Sequence, residues 1–303
     1  RLDLHAPVTK YLPWFAVDSR YPPITPHHLL CHTAGLPSGH THRPHGLHEV
    51  WELSRVRPYA APGDAWNYSN VGYDALGLMV ERILEQPFGQ FMQERVLDPA
   101  GLTSSYPIIT SELRPKLAVG YQWRFDDRPP LPQHGVVPAT WLETAVGSGS
   151  IAMTASDLLA YAELLRAVWH GADTPVLTSQ QLHIMLDCAA MPLAAQAESY
   201  GYGLAWALDA DDPGTLLGFG HGGGMVGFIT DLWIDLRHDL CFAELANGHV
   251  ATADVPDRIR DAVSDLHAGD PIAPLPPGRD DHPGGGAGAG EFPATCRGVC
   301  RAH

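Results

Sequence analysis

Lysine is nearly missing from this chain: among 303 residues only Lys10 and Lys116 carry an ε-ammonium. Lys and Arg together number 19 against 34 Asp and Glu, for a formal net charge of −15 at pH 7. A sequence-independent grip on phosphate backbones needs clustered cations, so this balance argues against nucleic acid as a partner. No uncharged apolar run approaches the roughly 18 residues that cross a bilayer, and no basic stretch followed by an apolar core opens the chain. Neither a membrane span nor a leader is therefore read, and the compartment stays open between cytoplasmic and exported. Cysteines are few and odd in number, five in all. Cys31, Cys188 and Cys241 lie scattered in apolar surroundings, as buried free thiols do, while Cys296 and Cys300 sit in a stretch of loop-like composition.

What is present is a globular composition, 45% apolar and 17% charged, enough for one large domain or two packed subdomains. From about Gly269 the sequence turns to Pro, Gly and Asp ("GDPIAPLPPGRDDHPGGGAGAGEF") and cannot bury enough apolar area to fold, so residues 269–303 read as a disordered tail. The domain is expected over 1–268, mainly helical over 24–190, with a sheet and a closing helix over 200–268. Thr25-Pro26 begins a short helix that Gly35 is expected to end. After Asn70, the spacing of Leu76, Met79, Val80, Ile83 and Leu84 predicts a helix buried on one face. Thr154 to Asp157 and Thr178 to Gln181 read as capping boxes opening two further helices. Val226 to Leu236, a turn at Arg237-His238-Asp239, and Leu240 to Leu245 read as an antiparallel hairpin, with "YGYGLAWALDA" as a third strand. Val255, Ile259, Val263 and Leu266 form a stripe expected to cover the sheet. The fold class is α+β, a mainly antiparallel sheet flanked by helices.

Three stretches can carry chemistry. In "NYSNVGY", Tyr68 and Asn70 can aim a phenol and a carboxamide at one ligand, although on spacing alone a packed Tyr with Asn70 as a helix N-cap is the plainer reading. In "GFGHGGGMVGF", three glycines after His221 leave backbone N–H groups open to close approach, as suits an edge strand gripping an oxyanion; a glycine-rich bulge is the plainer alternative. In "LLCHTAGLPSG", His32 reads as a packed histidine after a short helix.

In this order, these three stretches resemble the serine β-lactamase-like family, which includes class C β-lactamases, D-alanyl-D-alanine carboxypeptidases, D-aminopeptidases and esterases. The resemblance extends through "LDLHAPVTKYLP", "ITPHHLLCHTAGLP", "PGDAWNYSNVGYDALGLMVERI", "GSGSIAMTASDLLAYAELL" and "YGYGLAW", about residues 1–250. It implies a β-lactamase/transpeptidase-like fold with an inserted helical subdomain, and acyl-enzyme hydrolysis of an amide or ester: a β-lactam, a D-amino-acid peptide or a small ester. Tyr68 then matches the proton carrier, Asn70 the residue that holds the acyl-side amide, and His221-Gly222-Gly223 the third motif, often Lys-Thr-Gly. Gly224 matches the strand residue whose N–H completes the oxyanion hole. No cofactor is implied, and the expected partner is a small-molecule or peptide substrate.

Two departures stand out. His221 replaces a fixed cation, so a substrate carboxylate meets positive charge only when the imidazole is protonated. The family's Ser-x-x-Lys is absent: Pro7 and Leu113 stand three residues before the two lysines, and no Gly-x-Ser-x-Gly replaces it. In the family that helix lies shortly before the segment like "LDLHAPVTKYLP", so the catalytic helix, an N-terminal helix and neighbouring strands are expected upstream of Arg1. That leaves a sheet edge uncovered and the isolated chain prone to aggregate. A non-catalytic relative that keeps the cleft and binds peptide or cell-wall ligands is the alternative. A metal reading of His32, His40, His42, His45 and His48 is weak, because a Pro/Gly-rich loop fixes neither geometry nor supporting partners, and no metal site is assigned.

Overall fold

Local capping chemistry sets where the helices begin. In the computed structural model, which describes residues 2–39, 46–125, 127–128, 131–141, 143–187, 198–209, 211–212, 214–248 and 255–269, α1 spans Pro26–Leu30 behind Thr25. His28 takes the role usually played by Glu or Gln: its Nδ1 accepts the Thr25 N–H (3.1 Å), while Thr25 Oγ1 accepts the His28 N–H (3.4 Å). The helix stops before the expected glycine. His32, not Gly35, is the first residue with positive φ (57°). Gly35 (φ 69°) is needed for a different reason, since a Cβ there would lie 2.3 Å from the Ala60 carbonyl oxygen.

α2 (Gly46–Glu52) packs on α3 (Asn70–Leu84), and α3 on α1, around a core shared with the N-terminal segment. Ser69, rather than Asn70, is the N-cap of α3, accepting the Gly72 N–H at 3.1 Å. Val71, Ala75 and Met79 point from α3 into a core with Leu12, Phe15, Leu29, Leu36 and Val50. Each such buried side chain contributes roughly 1.5–3 kcal/mol. Leu84, expected on this face, is exposed. α4 (Phe88–Met92) runs directly into a π-helical turn, Gln93–Leu97.

Beyond a two-stranded ladder, β1 (Tyr121–Trp123) with β2 (Val136–Pro138), come α5 (Ala155–Trp169) and α6 (Ser179–Asp187). The Thr178 box forms in both directions, with Gln181 Oε1 accepting the Thr178 N–H and Thr178 Oγ1 accepting the Gln181 N–H. At α5 only half forms: Thr154 accepts the Asp157 N–H, but the Asp157 carboxylate turns outward to Ser104 N–H and the Ser105 hydroxyl, both at 2.7 Å.

The main sheet is antiparallel in the order β3-β4-β5-β6-β7. The "YGYGLAWALDA" stretch makes two strand segments, β3 (Glu198–Tyr200) and β4 (Ala205–Leu208). β5 (Leu216–Met225) turns at Val226-Gly227 into β6 (Phe228–Asp235), so Val226 belongs to a turn and not to a strand; Gly227 holds φ 82°. β7 (Leu240–Ala246) closes the sheet at one edge. Alternation along β6 assigns its faces. Leu232 and Ile234 join Phe219 in a second core with Ala162, Leu165 and Val168 of α5 and Leu182 of α6.

The opposite face meets α7 (Val255–Ala268), and here the expected packing fails. Ile259 and Leu266 are 50% and 59% exposed. The polar side of α7 faces the sheet: Arg260 pairs with Asp231 (3.3 Å) and lies over the Trp233 ring, and the Ser264 hydroxyl donates to Asp235 (3.3 Å). Asp231, Trp233 and Asp235 project toward α7, so this face offers carboxylates and an indole. An apolar stripe finds no matching surface there. Asp235 is fully buried and also accepts from Arg237 and His238, which hold its carboxyl below the usual range against the cost of burial.

Cys31, expected as a free thiol, is disulfide-bonded. Cys241 is free, and burial pushes its thiol up to about 11. Cys188, Cys296, Cys300 and the tail from 270 lie outside the described residues. Among the described residues, no helix is long and apolar enough to cross a membrane.

Candidate active site

Two chain segments pair side by side to build one wall of a cleft. The Asn67 N–H donates to the His32 carbonyl (2.8 Å), the Asn67 carboxamide to the Leu36 carbonyl (2.8 Å), and the Asn70 N–H to the Ser38 carbonyl (2.8 Å). The Ser69 hydroxyl donates to the Pro37 carbonyl at 2.7 Å. These bonds fasten "HTAGLPS" to "NYSN" and fix Tyr68 between them.

His32 stands at the centre of this wall. Its Nδ1 accepts the Ser69 N–H (3.0 Å), and its ring lies 4.4 Å from that of Tyr68 and 5.0 Å from that of Tyr73. Only 2% of its surface is exposed. Burial, followed by the proximity of His221, lowers its pKa to about 3, so the imidazole stays neutral and Nδ1 keeps the lone pair that Ser69 needs. Tyr73 donates to the Leu30 carbonyl (2.9 Å), and burial drives its phenol pKa upward, so it keeps its proton.

The facing wall is β5. The strand is third of five, yet its pairing with β4 ends at Gly220, so among the described residues His221 to Gly224 pair with β6 and with no other strand. The glycine run therefore lies inside a strand, along a stretch paired on one side among the described residues. A Cβ at Gly223 would meet Thr230 Oγ1 at 2.5 Å, whereas Gly224 faces open space. His221 Nδ1–H donates to the Gly222 carbonyl, which leaves Nε2 as an acceptor. Nε2 lies 3.4 Å from the Tyr68 hydroxyl, 153 residues away in sequence. Burial lowers the His221 pKa, opposed by the bond to Gly222.

The structure thus brings Tyr68 and His221 together. Asn70 is the first residue of α3, two positions beyond Tyr68; among the described residues its carboxamide makes no hydrogen bond to Gly222, Gly223 or Gly224. Sequence reasoning missed the rings around the pair. Tyr200 lies 5.9 Å from both Tyr68 and His221 and 5.4 Å from Trp66, whose indole N–H has no partner among the described residues. Tyr202 meets His27 Nδ1 at 2.7 Å on the rim. The aromatic content of "WNYSN" and "SYGYG" was the available signal. The metal reading loses His32, whose Nδ1 is already engaged, and His40, His42 and His45 lie outside the described residues. Among the described residues no group of three or more His, Cys, Asp or Glu side chains is placed to hold a metal ion.

A phenol and a neutral imidazole on one side, and a strand edge with open N–H groups beside them, can relay a proton and stabilise an oxyanion. Comparison with known proteins identifies the family. The family model described as Beta-lactamase matches residues 1–266. Penicillin-binding protein PbpX of Bacillus subtilis is 28% identical over 172 residues, covering 54% of this chain and 40% of that protein. The D-alanyl-D-alanine-carboxypeptidase/endopeptidase AmpH of Escherichia coli is 24% identical over 289 residues, covering 89% of this chain and 71% of that protein. The chain thus spans less than half the length of one relative and about seven-tenths of the other. Among solved structures, a D-stereospecific amidohydrolase from Streptomyces superposes with a TM-score of 0.65 at 23% identity, over 81% of this chain and 75% of that one. A class C beta-lactamase mutant superposes at 0.64 with 17% identity, over 88% and 76%. With the family model covering nearly nine-tenths of its length, this chain belongs to the beta-lactamase family.

Proposed function

We infer that this chain supplies the proton-relay and oxyanion walls of a serine hydrolase site that acts through an acyl-enzyme. The observation that carries the reading is the Tyr68 hydroxyl facing His221 Nε2 beside the singly paired half of β5. In this reading Tyr68 takes the nucleophile's proton as its own moves toward Nε2, and returns it to the leaving group. The Gly224 N–H stands in the oxyanion position, and Asn70 holds the acyl-side amide. The serine itself comes from a Ser-x-x-Lys that these 303 residues do not contain.

The substrate class follows from charge. Burial keeps His221 and His32 neutral, and the described ring neighbours of Tyr68 are aromatic or imidazole. The described residues of this cleft offer a substrate carboxylate no fixed cation, which favours small esters or amino-terminal D-residue amides over penicillin-like acids. The second reading is a relative that keeps the cleft and binds the same ligands without turnover.

The test is to read the source DNA for about 100 codons upstream of Arg1, express the complete reading frame, and expose it to a fluorescent fluorophosphonate. Labelling lost when the motif serine becomes alanine establishes the hydrolase. Tyr68→Phe should then slow acylation by about 10²–10⁴-fold. An in-frame stop immediately upstream, or a full-length protein that is never acylated, would leave the binder.

A further inference from the structure

His32 is a buried imidazole that takes no part in the relay proposed above, yet it grips the relay's tyrosine through three contacts. Its carbonyl accepts the Asn67 N–H (2.8 Å) and its Nδ1 accepts the Ser69 N–H (3.0 Å), so one residue holds the chain on both sides of Tyr68. Its ring also lies against the phenol, with 4.4 Å between centroids and a tilt of 32°. The other described ring contacts of Tyr68 are longer, 5.9 Å to Tyr200 and 6.1 Å to His221.

The backbone of His32 is a second, independent observation. Its φ is 57°, in the left-handed region that a non-glycine residue enters at a cost and keeps only where surrounding contacts hold it there. Glycine takes that conformation freely, so the imidazole is kept against a backbone cost. What depends on its grip is a contact with little margin. The Tyr68 hydroxyl lies 3.4 Å from His221 Nε2, at the outer limit of a hydrogen bond. That hydroxyl sits at the far end of a rigid side chain, where a small tilt of the peptide groups at 67–69 is magnified and breaks the contact.

We propose that His32 is a positioning residue that acts through Tyr68, holding the phenol hydroxyl within reach of His221 Nε2 by gripping the chain on both sides of it. This role rests on Tyr68 and His221 forming the relay pair proposed above. The Ser69 N–H then needs an acceptor at position 32 for the relay contact to form, beyond the stability which that bond contributes. Asparagine meets the need, since it offers a carboxamide oxygen and tolerates positive φ. Glycine keeps the backbone and offers no acceptor.

The full chain is prepared with ¹⁵N-labelled histidine, and the ring nitrogens of His221 are read by NMR at slightly alkaline pH, assigned from their loss in His221→Gln. Tyr68→Phe gives the position of Nε2 without its donor, downfield of the parent's. His32→Gly, shown to be folded by its amide spectrum, should move the signal to the Tyr68→Phe position, and His32→Asn should return it to the parent's. His32→Phe keeps a ring and lacks the acceptor; it should behave as His32→Gly does, and it decides the matter if His32→Gly does not fold. Thr178→Ala, which loses only the cap at the start of α6, should lower the melting temperature and leave the signal in place. Three results overturn the proposal while leaving the relay pair standing: a parent-like signal in a folded variant without the acceptor, a His32→Asn signal at the Tyr68→Phe position, or a signal that Thr178→Ala also moves. A His221 signal that Tyr68→Phe does not move overturns the relay pair, and the role of His32 with it.

Discussion

The two walls of the cleft are held by different means. The helical wall is a lattice of directed bonds in which His32, Ser69, Asn67 and Asn70 each satisfy a named partner on the opposing segment. Among the described residues the strand wall, from His221 to Gly224, holds its shape by backbone pairing with β6, and from Gly222 to Gly224 it has no side chains. One wall fixes the position of a phenol; the other leaves main-chain groups open. In the function proposed above, a site that holds its proton carrier still while admitting a substrate next to bare backbone needs both.

The sharpest way to break this contrast is at His32. His32→Leu leaves the Ser69 N–H buried without its acceptor and removes the ring contacts with Trp66, Tyr68, Tyr73 and Tyr200, a loss of about 3 kcal/mol in denaturant unfolding. If the variant is as stable as its parent, the helical wall does not depend on this imidazole. Acid attacks the same point. The folded His32 pKa, about 3, lies below its unfolded value near 6.5, so stability is full above pH 6.5 and falls as the unfolded chain gains a proton that the folded protein refuses. Lowering pH from 7 to 5 should therefore cost about 2 kcal/mol from this residue, and His32→Leu should flatten that part of the pH profile.

On the strand wall the expected effect is steric. Gly223→Ala should cost about 1–2 kcal/mol against Thr230 Oγ1, and adding Thr230→Ala should recover at least half of it. An unaltered unfolding midpoint in Gly223→Ala would show that this wall yields to a methyl group. The smallest effect is expected at Ser69→Ala, about 1 kcal/mol from the lost cap of α3, read from thermal unfolding.

How far the sequence could be read depended on how local the cause was. Thr25, Thr178 and the periodicity after Asn70 act within one or two turns, and their helices stand where they were expected. The reading erred by a residue or two at Asn70 and Val226, where a neighbour supplied the cap or the turn. It failed at α7: the stripe of Ile259, Val263 and Leu266 has the right spacing, but Asp231, Trp233 and Asp235 on the sheet attract Arg260 and Ser264 instead. At the site, Tyr68 and His221 were legible from their motifs, whereas His32 read as mere packing because its partner, the Ser69 N–H, is 37 residues away.

By itself, then, the sequence determined the helix starts, the β6–β7 hairpin, the α+β class, and the absence of Ser-x-x-Lys, since each is a property of neighbouring residues or of the residue list. Only the tertiary structure decided that the Tyr68 hydroxyl meets His221 Nε2 and that His32 stays neutral beside them. Burial and long-range contact set those outcomes, and both depend on which distant surfaces the chain brings together.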